Sequence, residues 1–327
     1  MADFKGKKVL VTGACGFIGS HLAERLVALG ADVRAFVHYN SLGTKGWLDH
    51  SKAAAEMDCR FGDIADPDSV RDAMTDRDTV FHLAALIGIP YSYVAPESYV
   101  RTNVSGTLNV LRPARETGAL VIHTSTSEVY GTARYVPIDE EHPLQGQSPY
   151  SASKIGADKL TQSFHLSFGL PVVTVRPFNT YGPRQSMRAI IPTIIAQALK
   201  GETVRLGNLG PTRDLNFVSD TVEGFIRAAS TPQAIGGTFN LGSGQEISIG
   251  GLVDLIAKVM KRPLSPVLEN ERVRPSGSEV ERLLADASQA RKVLGWAPAV
   301  SLEEGIRRTL EWLQGNTEYY RSVSYVR

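Results

Sequence analysis

Short apolar runs of strand length recur through the first half of the chain, at residues 9–12, 33–37, 57–61, 79–82, 121–124 and 172–176, with amphipathic stretches between them. This alternation constrains the fold more than any other feature. Parallel strands can be joined only by crossovers, and the crossovers cover both faces of the sheet, so the rhythm predicts βαβ units in a doubly wound α/β layer. The first unit reads most clearly: Ile18, Leu22, Leu26 and Leu29 repeat every three or four residues, and the run stops at Gly30, a helix terminator.

After about Gly182 the regularity fades into a stretch bearing Pro, Gly and Arg. Apolar spacing there predicts a helix over 194–199 and a strand over 237–241. Ser248 can cap a helix over 251–260, and Ser301 another over 302–313, whose first turn holds Glu303 and Glu304 at the positive end of the helix dipole. The expected organisation is one large unit over 1–184 with a returning segment around 215–250, and a smaller C-terminal α/β lobe from 185–214 and 251–327. No internal repeat or low-complexity segment interrupts it.

Charge and composition narrow the partners. The 327 residues carry a formal net charge of +1 with no long basic or acidic block, which argues against nucleic acid or a membrane surface and for a small molecule. The start is polar and no stretch is apolar enough to span a bilayer, so the cytoplasm is the expected location. Cys15 and Cys59 belong to no C-x-x-C pair, so neither a disulfide nor a metal site is expected, and both read as small buried apolar residues.

Directly after the first run stands Gly13-Ala14-Cys15-Gly16-Phe17-Ile18-Gly19, a G-x-x-G-x-x-G loop opening a helix. Glycines let the chain turn tightly and let its backbone approach a pyrophosphate, to which a helix N-terminus offers amide donors and positive dipole. With a strand before and a helix after, the loop predicts a Rossmann-type dinucleotide site. Asp63 and Ile64 after the third run, and Leu83, Ala84 and Ala85 after the fourth, fall along the same edge, where small side chains let a flat ring pass. The acidic residue expected about twenty residues past the glycines, to hold the adenosine ribose, is missing. Val37 and His38 stand there instead. Nothing then repels a 2′-phosphate, so NADP is favoured over NAD.

Tyr150 and Lys154 share one face of a helix opened by Pro149, with Thr126 upstream as a hydroxyl partner. An ammonium placed there is expected to pull the phenol below its usual pKa of about 10. Tyr150 can then take a proton from an alcohol as the carbon gives up hydride.

Through Gly13 to Gly19, Tyr150 with Lys154, and Arg176-Pro177-Phe178-Asn179-Thr180-Tyr181-Gly182-Pro183-Arg184, the chain resembles the extended short-chain dehydrogenase/reductase family over nearly its whole length. Ser125-Thr126-Ser127-Glu128-Val129-Tyr130-Gly131, residues 145–154 and Pro211-Thr212-Arg213-Asp214 are most similar to the nucleotide-sugar 4,6-dehydratases of legionaminic-acid-type sugar biosynthesis. The resemblance implies that Tyr150 is the redox base, Lys154 its partner and a ribose ligand, and Thr126 a ligand to the sugar oxygen. It also implies that Asn103, Thr124 and Pro177 line the cofactor site. Glu128 would remove the proton beside a new C4 ketone, so that water leaves C6 and the stored hydride returns there. Many such enzymes carry aspartate just before this glutamate, where this chain has Ser127. For the diphosphate the resemblance points to Asn179, Arg213, Arg274 and Arg282, although Arg282 also sits among Glu279 and Glu281, where it can form ion pairs. Trp296 reads as packing.

The implied cofactor is NADP or NAD, tightly bound and recycled. The implied substrate is a nucleotide-diphosphate sugar, UDP- or GDP-N-acetylglucosamine, and the implied assembly is a homodimer paired through helices near 102–115 and 149–166. Alternatives stay open at this point. A Thr-Ser-Glu triplet also resembles nucleotide-uronate decarboxylases, in which the C4 ketone drives loss of carboxylate, and a 4-epimerase needs only the redox pair. A non-catalytic dinucleotide sensor is a remote alternative, because it would have no use for Tyr150, Lys154 and Thr126 together.

Overall fold

The computed structural model describes residues 4–320. The first half lays down β1 (Lys8–Thr12), α1 (Phe17–Ala28), β2 (Asp32–His38), β3 (Asp58–Gly62), α2 (Pro67–Met74), β4 (Thr79–His82), α3 (Ile89–Val94), α4 (Pro96–Tyr99), α5 (Gly106–Thr117), β5 (Leu120–Thr124), α6 (Pro149–Phe168) and β6 (Val172–Pro177). The second half supplies β7 (Asn179–Tyr181), α7 (Ile190–Ala198), β8 (Thr203–Leu206), β9 (Thr212–Phe217), α8 (Val218–Ser230), β10 (Thr238–Leu241), β11 (Glu246–Ser248), α9 (Ile249–Met260), β12 (Ser265–Leu268), β13 (Arg282–Leu283), α10 (Ser288–Leu294) and α11 (Leu302–Gly315).

Period-two alternation lays out the core. Val9 and Val11 of β1 pack into one hydrophobic cluster with Leu22 and Leu26 of α1 and Phe225 of α8, while Leu10 packs into another with Val70 of α2 and Val110 and Leu111 of α5. Both faces of the sheet are therefore covered, and its inner strands are apolar on both sides, while the edge strand β3 is partly exposed. Seven strands run parallel in the order β10-β6-β5-β4-β1-β2-β3. This is the expected Rossmann-type parallel α/β sheet. The order reverses between β1 and β4, which opens a crevice at the strands' carboxyl ends. Strand β9 pairs with β7, β11 and β13 in a second sheet, and β8 pairs with β12.

Local signals set the element ends. Ser148 and Ser151 form a reciprocal capping box at the start of α6, Pro149 takes its first position, and Gly169 closes it at φ 67°. Ser248 and Ser301 cap α9 and α11 as expected, accepting from Gly251 N and Glu304 N. The helix expected over 194–199 begins earlier, at Ile190, because Pro192 lies in its first turn, where a missing N–H costs little. The cysteines depart from expectation: both are only partly buried, Cys15 in the glycine loop and Cys59 on the edge strand β3. Trp296 is 1% exposed and donates from Nε1 to the Asp220 carbonyl at 2.8 Å, so it is core. Residues 1–3 and 321–327 of the expected division lie outside the described residues.

Candidate active site

The glycine loop fits a dinucleotide by what a side chain would strike. Gly13 sits at φ 69°, and a Cβ there would lie 2.8 Å from Ala84 N; one on Gly19 would lie 2.1 Å from Gly13 O. Gly16 differs, since its φ of −82° suits any residue and the nearest atom to a Cβ is Gly13 O at 3.3 Å. A side chain at Gly16 would press on that one carbonyl alone. No side chain caps α1 and no acidic residue stands in its first turn, where Phe17 and Ile18 are half-buried. That arrangement suits an anion.

The rest of this edge is held by hydrogen bonds. Thr12 Oγ1 accepts from Leu83 N and Ala84 N, each at 3.1 Å, and bonds His82 Nδ1 at 2.9 Å, which fixes the backbone leading to Ala85. Asp63 closes a turn by accepting from Ala65 N at 2.9 Å beside buried Ile64, and His38 stands exposed at the end of β2. Pro177 ends β6, opposite Leu241 of β10. Asn103 is tied into the same wall: it is 1% exposed, exchanges hydrogen bonds with Leu86 N and O, and donates to Ser153 Oγ.

Tyr150, in the first turn of α6, is 7% exposed and hydrogen-bonded to Thr126. Lys154, one turn on, is 4% exposed and donates from Nζ to the Thr124 carbonyl at 2.6 Å. The expected lowering of the phenol's pKa is overturned. Burial pushes the phenol up, the Thr126 hydroxyl opposes this only in part, and the charge of Glu128 adds to it. Burial also brings Lys154 down to about 8, against the attraction of Asp158. Burial makes each of the two groups resist its charged form.

Glu128 follows Thr126 in the 3₁₀ turn Ser127–Tyr130, its amide donating to Thr126 Oγ1 at 3.2 Å. Its charge acts on both Tyr150 and Arg213, so the carboxylate is near each of them. Ser127 beside it is 2% exposed. Arg213 on β9 and Arg274 meet at one carboxylate, Glu279 Oε1, at 3.3 and 3.6 Å. Thr124 Oγ1 and Asn179 Oδ1 are buried without a hydrogen-bond partner, as ligand-facing groups would be. Arg282 stands apart from Glu279 and Glu281, bound instead to Glu246 across β13, β9 and β11.

Sequence reasoning misses three contributors. Glu279 is invisible because its partner Arg213 lies 66 residues away. Tyr99, edge-on to Tyr150 at 6.2 Å, comes from the separate helix α4. Asp158 had a usable signal: extending the Tyr150–Lys154 spacing by four residues reaches it.

Relatives with different chemistries match this framework. The family model for GDP-mannose 4,6 dehydratase matches residues 10–309. A UDP-glucose 4-epimerase of Mycolicibacterium smegmatis is 35% identical over 95% of this chain and 100% of its own. A dTDP-glucose 4,6-dehydratase of an Actinoplanes species is 34% identical over 96% and 99%. An Arabidopsis thaliana UDP-glucuronic acid decarboxylase is 33% identical over 92% and 67%. Among solved structures, a double mutant of the dTDP-glucose 4,6-dehydratase DesIV from Streptomyces venezuelae, with NAD bound, superposes with a TM-score of 0.87 at 27% identity, covering 97% of this chain and 100% of that one. A family model spanning nearly the whole chain, over a Rossmann sheet that presents Tyr150 and Lys154 at the same edge as a glycine loop, has one meaning: the chain belongs to the GDP-mannose 4,6-dehydratase family of nucleotide-sugar-modifying extended short-chain dehydrogenases/reductases.

Proposed function

We propose that the chain is a nucleotide-sugar 4,6-dehydratase acting on UDP- or GDP-N-acetylglucosamine. The position of Glu128, its charge felt by both Tyr150 and Arg213, carries the reading. A 4-epimerase has no step for such a carboxylate; a dehydratase needs one.

The glycine loop, Ala84, Thr124, Lys154 and Pro177 would hold the dinucleotide, which when bound would supply a reversible hydride acceptor and the positive charge that a buried phenolate lacks. Tyr150 Oη takes the C4 hydroxyl proton as C4 becomes a ketone, and Thr126 orients that oxygen. The ketone acidifies C5–H, and Glu128 removes this proton. The same carboxyl, now protonated, gives its proton to the departing C6 hydroxyl, so water leaves without the aspartate that Ser127 replaces. Tyr150 returns its proton to C5 as hydride reaches C6. Arg213, Arg274 and Asn179 would grip the diphosphate, the arginines through paired donors. Arg282, tied to Glu246, contributes less.

Incubation with each sugar nucleotide followed by mass spectrometry tests the reading. Loss of water supports it; a mass-neutral product means epimerisation, and carbon dioxide from a uronate means decarboxylation. Turnover by Tyr150→Phe equal to wild type would remove the role given to the phenol. His38 in place of a carboxylate supports NADP over NAD, and dissociation constants for the two decide it. Exposed Val100 next to α5 and Leu166 and Phe168 at the end of α6 support a homodimer through those helices in the cytoplasm, which light scattering checks.

A further inference from the structure

The face of α6 that carries Tyr150 and Lys154 holds a third group one turn further on. Asp158 is 4% exposed, and its carboxylate accepts from Ser125 Oγ at 2.7 Å, His123 Nε2 at 3.0 Å, and Arg176 Nη2 and Nε at 3.2 and 3.3 Å. His123 and Ser125 flank Thr124, whose carbonyl receives Lys154, and Ser125 precedes Thr126. Arg176 precedes Pro177. One carboxylate thus ties the ends of β5 and β6 to the helix that presents the redox pair.

We propose that Asp158 is the positioning residue of this pair, fixing the strand end that presents Thr124 and Thr126 and that receives Lys154 at the Thr124 carbonyl. The inference rests on the reading of Tyr150 and Lys154 as a redox pair. The other charged and titratable groups packed around it do not substitute. His82 on β4 and His123 on β5 are held below their usual range by burial and stay neutral. Arg176 on β6 is a cation, and Tyr130 remains a phenol, pushed up to about 12 by burial. Glu140 accepts from Asn240 N at 2.8 Å, and burial raises its pKa. Glu128 acts on Tyr150 and Arg213. Asp158 is the carboxylate whose charge reaches Lys154.

Titration of the Lys154 side chain by lysine carbon-13 NMR, assigned with Lys154→Arg, tests the proposal in the purified protein. In Asp158→Asn the midpoint is expected to fall by about one pH unit or more, the effect of losing a nearby opposite charge. The high-pH limb of kcat moves down with it, kcat falls more than KM changes, and Asp158→Glu recovers both. If Asp158→Asn fails to fold because Arg176 is left unpaired, Asp158→Asn/Arg176→Met removes both charges, and its kcat against KM reports the loss of the tie. A Lys154 midpoint unmoved in Asp158→Asn, or an unchanged kcat in the folded double variant, overturns the proposal. The midpoint needs no substrate, so a failed dehydration assay with the shift intact would count against the proposed reaction and not against Asp158.

Discussion

Gly16 and Gly19 belong to one motif, but alanine at each should fail for a different reason. At Gly16 the backbone already suits an L-residue and the one atom close to a new Cβ, Gly13 O at 3.3 Å, has to give by only a few tenths of an ångström, so the fold loses about 1 kcal/mol, from that shift and the poorer N-cap. The methyl instead fills the approach to the pyrophosphate. At Gly19 the Cβ would meet Gly13 O at 2.1 Å. Alanine gains about 1 kcal/mol of helix propensity there, but the overlap costs about 1–3 kcal/mol plus a backbone shift, so the clash wins. Urea unfolding with and without NAD separates the two. At a ligand concentration one hundred times its dissociation constant, wild type gains about 2.7 kcal/mol, whereas a variant binding about tenfold more weakly gains only about 1.4 kcal/mol. Gly16→Ala should unfold near wild type alone and show the smaller gain with NAD, while Gly19→Ala should be less stable from the outset. Normal NAD binding by Gly16→Ala would refute the reasoning about the loop.

Other expectations follow from the same geometry. Glu128→Gln should still form reduced nicotinamide on mixing with substrate, seen by its absorbance, while dehydration slows by about 10²–10⁴; water loss at the wild-type rate would take Glu128 out of the mechanism. Lys154, with a folded pKa of about 8, releases its proton before the unfolded chain does at about 10.4. Between those values the unfolded state binds more protons, so folding stability gains up to about 1.4 kcal/mol per pH unit as pH rises. Lys154→Met lacks this gain, and its stability relative to wild type should decline across that window; denaturation at several pH values checks it, and a constant difference would be the contrary result. Trp296→Phe loses the bond to the Asp220 carbonyl and leaves a gap, costing about 1–3 kcal/mol in chemical denaturation with activity per folded molecule retained.

The inner strands of the main sheet were legible because burial on both faces makes them mostly apolar, and β4 falls on residues 79–82 as read. The short strands β7, β11 and β13 were not, since pairing with β9 defines them and they hold no period of their own. Spacing placed Tyr150 beside Lys154, but sequence does not report desolvation, so the direction of the phenol's pKa came out reversed.

Strand β10 joins the outer edge of the sheet after the chain has left β6 and built α7, β8, β9 and α8. During synthesis the flank of β6 therefore waits for residue 241 to clear the ribosome before its amides and carbonyls find partners. A fragment stopped near residue 184 would keep the glycine loop yet offer a bare strand edge to its neighbours, and should aggregate rather than survive as a portable nucleotide binder.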